Sequence, residues 1–458
     1  DGSSCVVTTI GNNAFLDCSG LESIVIPDSV TSIGNSAFQN CSVLPSIDIP
    51  NSVLSIGSST FQDCSGLIFA TIGTSVTSIG NSAFQNCSVL ESIDIPDSVA
   101  SIGSSTFQDC SALSSVTIGT SVTSIGVSAF QNCSTLPTID IPNSVLSIGT
   151  NAFQGCSVLT SATIDCQIIP SITQAFQELP YIIIGTSVSS IGDNAFNGFT
   201  NLTSVTFNGT SLVTSIGDSA FQNCSVLQSI TIPDLVLSIG VSTFKDCSDM
   251  TSVTIGTTVT SIGNTAFLNC IALQSIDIPD SVNSIGSNAF QDCSGMIFAT
   301  IGTSVTSIGN SAFQNCSVLQ SITIPDLVLA IGVSTFKDCS GMTSVTFSET
   351  SSVSSIGANA FQTCSALNSF NIPNLVTFID NNVFEACSGL TSITIGNTVT
   401  SIGISTFQTC SALTSVTFSG TSVTSIGASA FKTCSALKSF NIPSLVTSID
   451  NNVFEACS

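Results

Sequence analysis

Phenylalanine returns every 23 residues. Phe15, Phe38, Phe61, Phe84, Phe107, Phe130, Phe153 and Phe176 are evenly spaced. After an irregular stretch containing Phe196, the series resumes at Phe221, Phe244, Phe267, Phe290, Phe313 and Phe336, then Phe361, Phe384, Phe407, Phe431 and Phe454. A fixed period in the range of roughly 20–50 residues marks units that cannot close a core alone and must stack on their neighbours.

One unit, residues 44–66, reads LPSIDIPNSVLSIGSSTFQDCSG. Ile47 and Ile49 alternate with Ser46 and Asp48, the period of two that puts both isoleucines on one face of a strand. After a turn at Pro50, Val53 to Ile56 gives a second short extended piece, and Gly57 supplies the positive φ of a sharp corner. Phe61 and Cys64 are three apart, which suits one helical or 3-10 turn with both side chains inward. About seven buried side chains per coil, at roughly 1.5–3 kcal/mol each, offset the ordering entropy only if the columns run on from coil to coil. The expected fold is a repeat solenoid of about 20 coils of 23 residues, with short parallel β-strands and one helical or 3-10 turn per coil. Phe38, Cys41, Phe61, Cys64, Phe84 and Cys87 are expected in its structural ladder.

A second period of 46 residues overlies the first. Ala-Phe-Gln-Asn-Cys-Ser at 37–42, 83–88 and 129–134 alternates with Thr-Phe-Gln-Asp-Cys-Ser at 60–65 and 106–111, which suggests duplication by pairs of coils. Residues 371–388 and 441–458 are also near copies, with Asp380 and Asp450 in place of the corner glycine. Residues 1–161 and 203–458 read as regular blocks. In the irregular repeats 162–202 between them, Leu179 and Phe199 take the cysteine position and Cys166, Pro170, Pro180 and Tyr181 intrude, so that this stretch reads as a joint within one continuous solenoid. The chain starts without Met and stops in mid-repeat, and a longer native polypeptide is expected because open solenoid ends need polar caps.

The string L-x-S-I-x-I-P-x-S-V-x-S-I-G-x-x-A-F-x-x-C-S, as at Leu21 to Ser42, resembles the BspA-like leucine-rich repeats. The resemblance covers nearly the whole chain. It implies the fold just described and a place among surface proteins of bacteria and some microbial eukaryotes, many of them adhesins. The near absence of basic residues departs from that family's pattern.

Composition narrows the partners. Four lysines, Lys245, Lys337, Lys432 and Lys438, with no arginine or histidine, stand against 28 carboxylates, for a net charge of −24. Such a chain repels phosphate backbones and anionic lipid surfaces, so nucleic acid is excluded, and no apolar run is long enough for direct membrane insertion. Charged residues make up 7% of the chain, against about 25% in an ordinary soluble protein. The exterior must therefore be Ser, Thr, Asn and Gln, as in secreted, glycan-coated or self-assembling proteins.

Eighteen of the twenty cysteines sit three residues after a repeat phenylalanine, with Cys5 and Cys166 as extras. They are either a buried column of thiols packing as small hydrophobes or disulfides between successive coils. Without histidine or a Cys-x-x-Cys pair they form no metal site. Asn-Cys-Ser at Asn40, Asn86, Asn132, Asn223 and Asn315, with Asn201-Leu-Thr and Asn208-Gly-Thr, are candidate N-glycosylation sites. Aspartates such as Asp48, Asp94, Asp140 and Asp277 form a solvated acidic stripe or, alternatively, a calcium-attracting row. The column Thr31, Leu54, Thr77, Ala100, Thr123, Leu146 raises an ice-binding face, broken at every second coil.

Catalysis has almost nothing to use, since a serine or cysteine nucleophile lacks a histidine base. No cofactor is expected. The leading expectation is a non-enzymatic extracellular structural protein, a segment of a filament or cell-surface coat. It would associate with itself or with other surface or matrix components, with covalent glycans as a further expectation. The alternative is a cell-surface adhesin binding through the irregular region, with Tyr181 and Phe199 as candidate contacts.

Overall fold

The computed structural model describes residues 6–169 and 175–457; Cys5 and Pro170 lie outside the described residues. The chain divides into two compact units, residues 1–190 with 204–212, and residues 191–203 with 213–458. Both are parallel β-solenoids, with about 19 turns between them.

In the first unit each coil contributes a long strand and a short one. The short strands, from Thr9–Ile10 through Ser32–Ile33, Ser55–Ile56 and on to Ser147–Ile148, form a parallel sheet in sequence order, each isoleucine beside the next. The long strands Ser46–Asp48, Phe69–Thr71, Ser92–Asp94 and Ser115–Thr117 form a second sheet, and Thr138–Ile141, Ser161–Ile164, Tyr181–Ile184 and Ser204–Phe207 pair in the same way. The second unit repeats the plan. Its short strands run from Ser215–Ile216 to Ser448–Ile449, and its long strands include Ser275–Ile278, Phe298–Ile301, Ser321–Ile324 and Ser344–Phe347.

The apolar set read from the repeat lies inside. In residues 44–66, Leu44, Ile47, Ile49, Val53, Ile56, Phe61 and Cys64 are all buried. The rings of the phenylalanine column stack within each unit, for example 5.3 Å from Phe38 to Phe61 and 5.1 Å from Phe61 to Phe84. From Phe196 the second unit continues likewise, 5.1 Å to Phe221 and 5.4 Å from Phe221 to Phe244. This spacing is near the separation of adjacent strands, so one geometry serves the sheets and the rings together.

Two local expectations are corrected. The segment from Ser59 to Cys64 is not a helical or 3-10 turn, and no coil among the described residues contains one. Gln62 and Cys64 do donate to the carbonyls of Ser59 and Phe61, three residues back. The intervening amides of Ser59, Phe61 and Asp63 instead donate to Asn81, Ala83 and Gln85 of the next coil, at 2.7–2.8 Å. Ser59 and Asp63 have φ of 55° and 60°, the left-handed region that a right-handed helix excludes. The chain is thus a run of turns whose alternate amides stitch coil to coil.

The corner glycine is also needed for a different reason than positive φ, which Gly57 does not have. A Cβ at Gly57 would lie 2.6 Å from the backbone of Gly34 and Asn35 one coil earlier, and at Gly80 it would lie 2.5 Å from the amide nitrogen of Ser58. Close stacking of backbone on backbone selects glycine there.

Candidate recognition face

Along each long strand the inward residue is apolar and its neighbours face water. Ser46 and Asp48 are exposed around buried Ile47. The first outward position is serine or threonine in nearly every coil but carries an aromatic at Phe69 and Tyr181 in the first unit and at Phe298 in the second, exposed by 52%, 50% and 55%. At Phe69 and Phe298 the inward residue that follows is alanine, Ala70 or Ala299, where Ile47 and Ile93 stand in neighbouring coils. A depression of about 390 Å³ lies beside Phe69 and Ala70, bordered by Thr71, Thr74, Ser92, Asp94 and Pro96. A second depression of about 330 Å³ in the first unit is bordered by Asp140, Pro142, Thr163, Asp165, Gly185 and Asn208. Phe69 and Phe298 escape attention among 29 phenylalanines unless the coils are aligned position by position, whereupon an aromatic in a serine column stands out.

Several aspartates on these faces are held by the coil that follows. Thr71 donates its hydroxyl to Asp48 and Thr300 to Asp277. In the turns, the Thr120 amide and hydroxyl both donate to Asp97, at 2.7 and 2.9 Å, and Thr257 and Thr303 treat Asp234 and Asp280 alike. These bonds, the backbone amide first, lower the pKa of Asp97, Asp234 and Asp280. No group of three or more metal-ligating side chains occurs among the described residues.

The cysteines are free thiols in a buried column. Cys64 donates its Sγ–H to the Phe38 carbonyl at 3.1 Å and Cys87 to that of Phe61 at 3.2 Å, and the pattern recurs through Cys434. Burial pushes the Cys64 thiol up to about 12 and holds Cys87 well above its ordinary value. Thiols so protonated are packing residues and not nucleophiles. Cys18 is exposed.

Asn40, Asn86, Asn132 and Asn315 sit at φ near 60° and donate their side-chain amides to Asp17, Asp63, Asp109 and Asp292 of the preceding coil at 2.6–2.7 Å. Asn223 reaches Asn197 at 3.4 Å. Asn132, Asn201, Asn208, Asn223 and Asn315 are exposed, whereas Asn40 and Asn86 are half-buried.

Of the two contacts expected in the irregular region, Tyr181 is on the surface in the first unit. Phe199 is not available to a partner: it is 1% exposed in the second unit, where it fills the cysteine position and meets Phe196 edge-on at 5.4 Å. A bulky apolar side chain in a core column is simply buried. The threonines of the proposed ice-binding column spend their hydroxyls on backbone, Thr77 on the Leu54 carbonyl and Thr123 on that of Ala100. No helix among the described residues is long and apolar enough to cross a membrane.

A comparison with curated proteins gives no match. Solved structures similar to the chain include a leucine-rich repeat protein from Bacteroides ovatus, 29% identical, with a TM-score of 0.41 over 81% of this chain and 86% of that one. A leucine rich cell surface protein from Faecalibacterium prausnitzii is 24% identical, with a TM-score of 0.30 over 85% and 83%. A leucine rich repeat protein of T. pallidum is 24% identical, with a TM-score of 0.33 over 41% and 83%. The model of the BspA type leucine rich repeat region matches in six overlapping copies, at residues 8–136, 78–179, 101–228, 167–297, 214–343 and 330–458. With the match spanning residues 8–458, the chain belongs to the BspA type leucine-rich repeat family.

Proposed function

We propose that this chain is a non-enzymatic repeat scaffold of the cell surface that attaches to a partner through the outer faces of its long-strand sheets. A lone exposed hydrophobe is ordinary. The observation that carries the reading is its pairing with a missing side chain beneath: at Phe69–Ala70 and again at Phe298–Ala299, one coil both raises an aromatic into water and thins the core under it. Aromatic anchors beside small depressions are what recognition surfaces use. The lack of histidine and arginine, with protonated buried thiols, supports a role without catalysis. Lateral self-association into a coat is less well supported, because a net charge of −24 sets copies against one another. Glycans on the exposed sequon residues Asn132, Asn201, Asn208, Asn223 and Asn315 belong to the same surface role and would register as a mass loss on enzymatic deglycosylation.

Beads coated with the chain, offered to cultured cells and to immobilised matrix proteins, test the reading. Attachment above that of albumin-coated beads is expected, with most of it lost when Phe69, Tyr181 and Phe298 are all replaced by serine. No attachment to any surface, or attachment indifferent to that replacement, overturns it.

A further inference from the structure

The strands around Phe69 pair in register: Phe69 lies between Ser46 and Ser92, and Thr71 lies between Asp48 and Asp94 one pleat further along. Phe69 therefore has a carboxylate-bearing strand on each side. The two aspartates differ in state. The Asp48 carboxylate accepts the Thr71 hydroxyl, while that of Asp94, which borders the depression, accepts no hydrogen bond from any described residue. The depression thus presents a half-exposed ring, a carboxylate open to solvent and the hydroxyl-bearing Thr71, Thr74 and Ser92.

No basic residue of the chain can neutralise that carboxylate from within its own unit. All four lysines, Lys245, Lys337, Lys432 and Lys438, belong to the second unit, and the chain has no arginine or histidine. One of them, Lys432, is already paired with Glu455 at 3.0 Å. A second copy of the chain, itself at −24, is a poor source of positive charge. A cation that lies over an aromatic face and beside a carboxylate satisfies both groups, and a planar guanidinium suits this best.

Resting on the attachment reading above, we propose that the depression beside Phe69 receives an arginine or lysine side chain from a basic segment of a partner protein. The cationic head lies over the Phe69 ring and pairs with Asp94. The second unit supplies an internal control. Phe298 has the same ring and the same alanine after it, but Thr323 stands where the first unit has Asp94, and its other flanking aspartate, Asp277, already accepts the Thr300 hydroxyl. Phe298 should therefore bind such a group more weakly.

The test is binding of a short dye-labelled peptide of alternating arginine and glycine to the whole chain, read by fluorescence anisotropy at about 0.15 M salt, where diffuse attraction is screened beyond about 8 Å. Phe69→Ser restores the residue the repeat favours there and leaves the charge unchanged, so the fold should hold, and unchanged circular dichroism and melting temperature verify this. Affinity should fall about threefold to tenfold in Phe69→Ser and by a similar factor in Asp94→Asn, with little change in Phe298→Ser. Equal binding by the native chain and Phe69→Ser would show only diffuse charge attraction and overturn the proposal. So would no binding by the native chain, or binding of neutral oligosaccharides in its place with the same dependence on Phe69. The two readings fail separately: beads that attach while peptide binding ignores Phe69 and Asp94 sink the cation site and leave attachment standing, whereas beads that never attach sink the attachment reading.

Discussion

The side-chain amide of Asn86 donates to the carboxylate of Asp63, 2.6 Å away in the preceding coil. The same two coils are tied twice more in the same direction, by Thr71 to Asp48 and by Thr74 to Asn51 at 3.1 Å. In the second unit Thr300, Thr303 and Asn315 reach back to Asp277, Asp280 and Asp292. One coil accepts and the next donates. Buried Thr60 and Thr106, standing where the other coils have Ala37 and Ala83, mark the accepting coils from inside, and each gives its hydroxyl to its own corner glycine, at 2.7 and 2.8 Å. Asn86→Asp would set three aspartates in a row, with Asp63 and Asp109. Stability measured by urea unfolding at pH 7 should drop by on the order of 1 kcal/mol. The loss should shrink below the carboxylate range, and a loss that persists in acid would show that charge is not its cause.

Corner and turn positions should respond oppositely to substitution. Gly57→Ala places a methyl 2.6 Å from backbone of the preceding coil, and should cost about 1–3 kcal/mol as overpacking. Ser59→Gly relieves a left-handed residue whose conformation costs roughly 1–2 kcal/mol, and should be neutral or stabilising. If both changes cost the same, the assignment of close approach to one and backbone conformation to the other is wrong.

Thiol reactivity should follow burial. A thiol reagent added to the folded chain should modify Cys18 well before Cys64 or Cys87, which become reactive only on unfolding. Rapid labelling of the whole column without denaturant would contradict the buried ladder.

The chain should be sensitive to alkali. A thiol whose folded pKa is raised contributes stability that is intact below the unfolded value, here 9.0, and is lost as pH climbs through the folded one, about 12 for Cys64 and Cys224. Between these limits each such thiol removes about 1.4 kcal/mol per pH unit. The melting temperature should fall steeply above pH 9, and a Cys64→Ala, Cys224→Ala double variant should fall less steeply. Asp97, Asp234 and Asp280 act at the other end. Their lowered pKa values add stability above the ordinary carboxylate value near 3.8, which is lost as pH falls below it. A flat melting temperature from pH 7 to 12 would be incompatible with the thiol column.

Stacking was legible in the sequence because it rests on apolar spacing alone, and the columns of Phe38, Phe61 and Phe84 lie where that spacing puts them. The turn after Gly57 was not legible. A three-residue separation between Phe61 and Cys64 fits a helix and a chain of turns equally, and the choice is made by Ser59 and Asp63, whose left-handed backbone is imposed by hydrogen bonds to the next coil. On the candidate face, Tyr181 stood out because its surroundings break the repeat. Phe69 hid inside a regular coil, and its exposure follows from strand phase: a residue one place before Ala70 must point outward.

Because accepting and donating coils alternate along residues 44–135 and 227–318, 46 residues and not 23 form the smallest interchangeable piece of those stretches. Excising one coil there would bring Asp against Asp or Asn against Asn at the seam, while excising two would leave these ties intact. Lineages that lengthen or shorten these stretches should therefore do so in even numbers of turns, and an engineer cutting them to size is bound by the same parity.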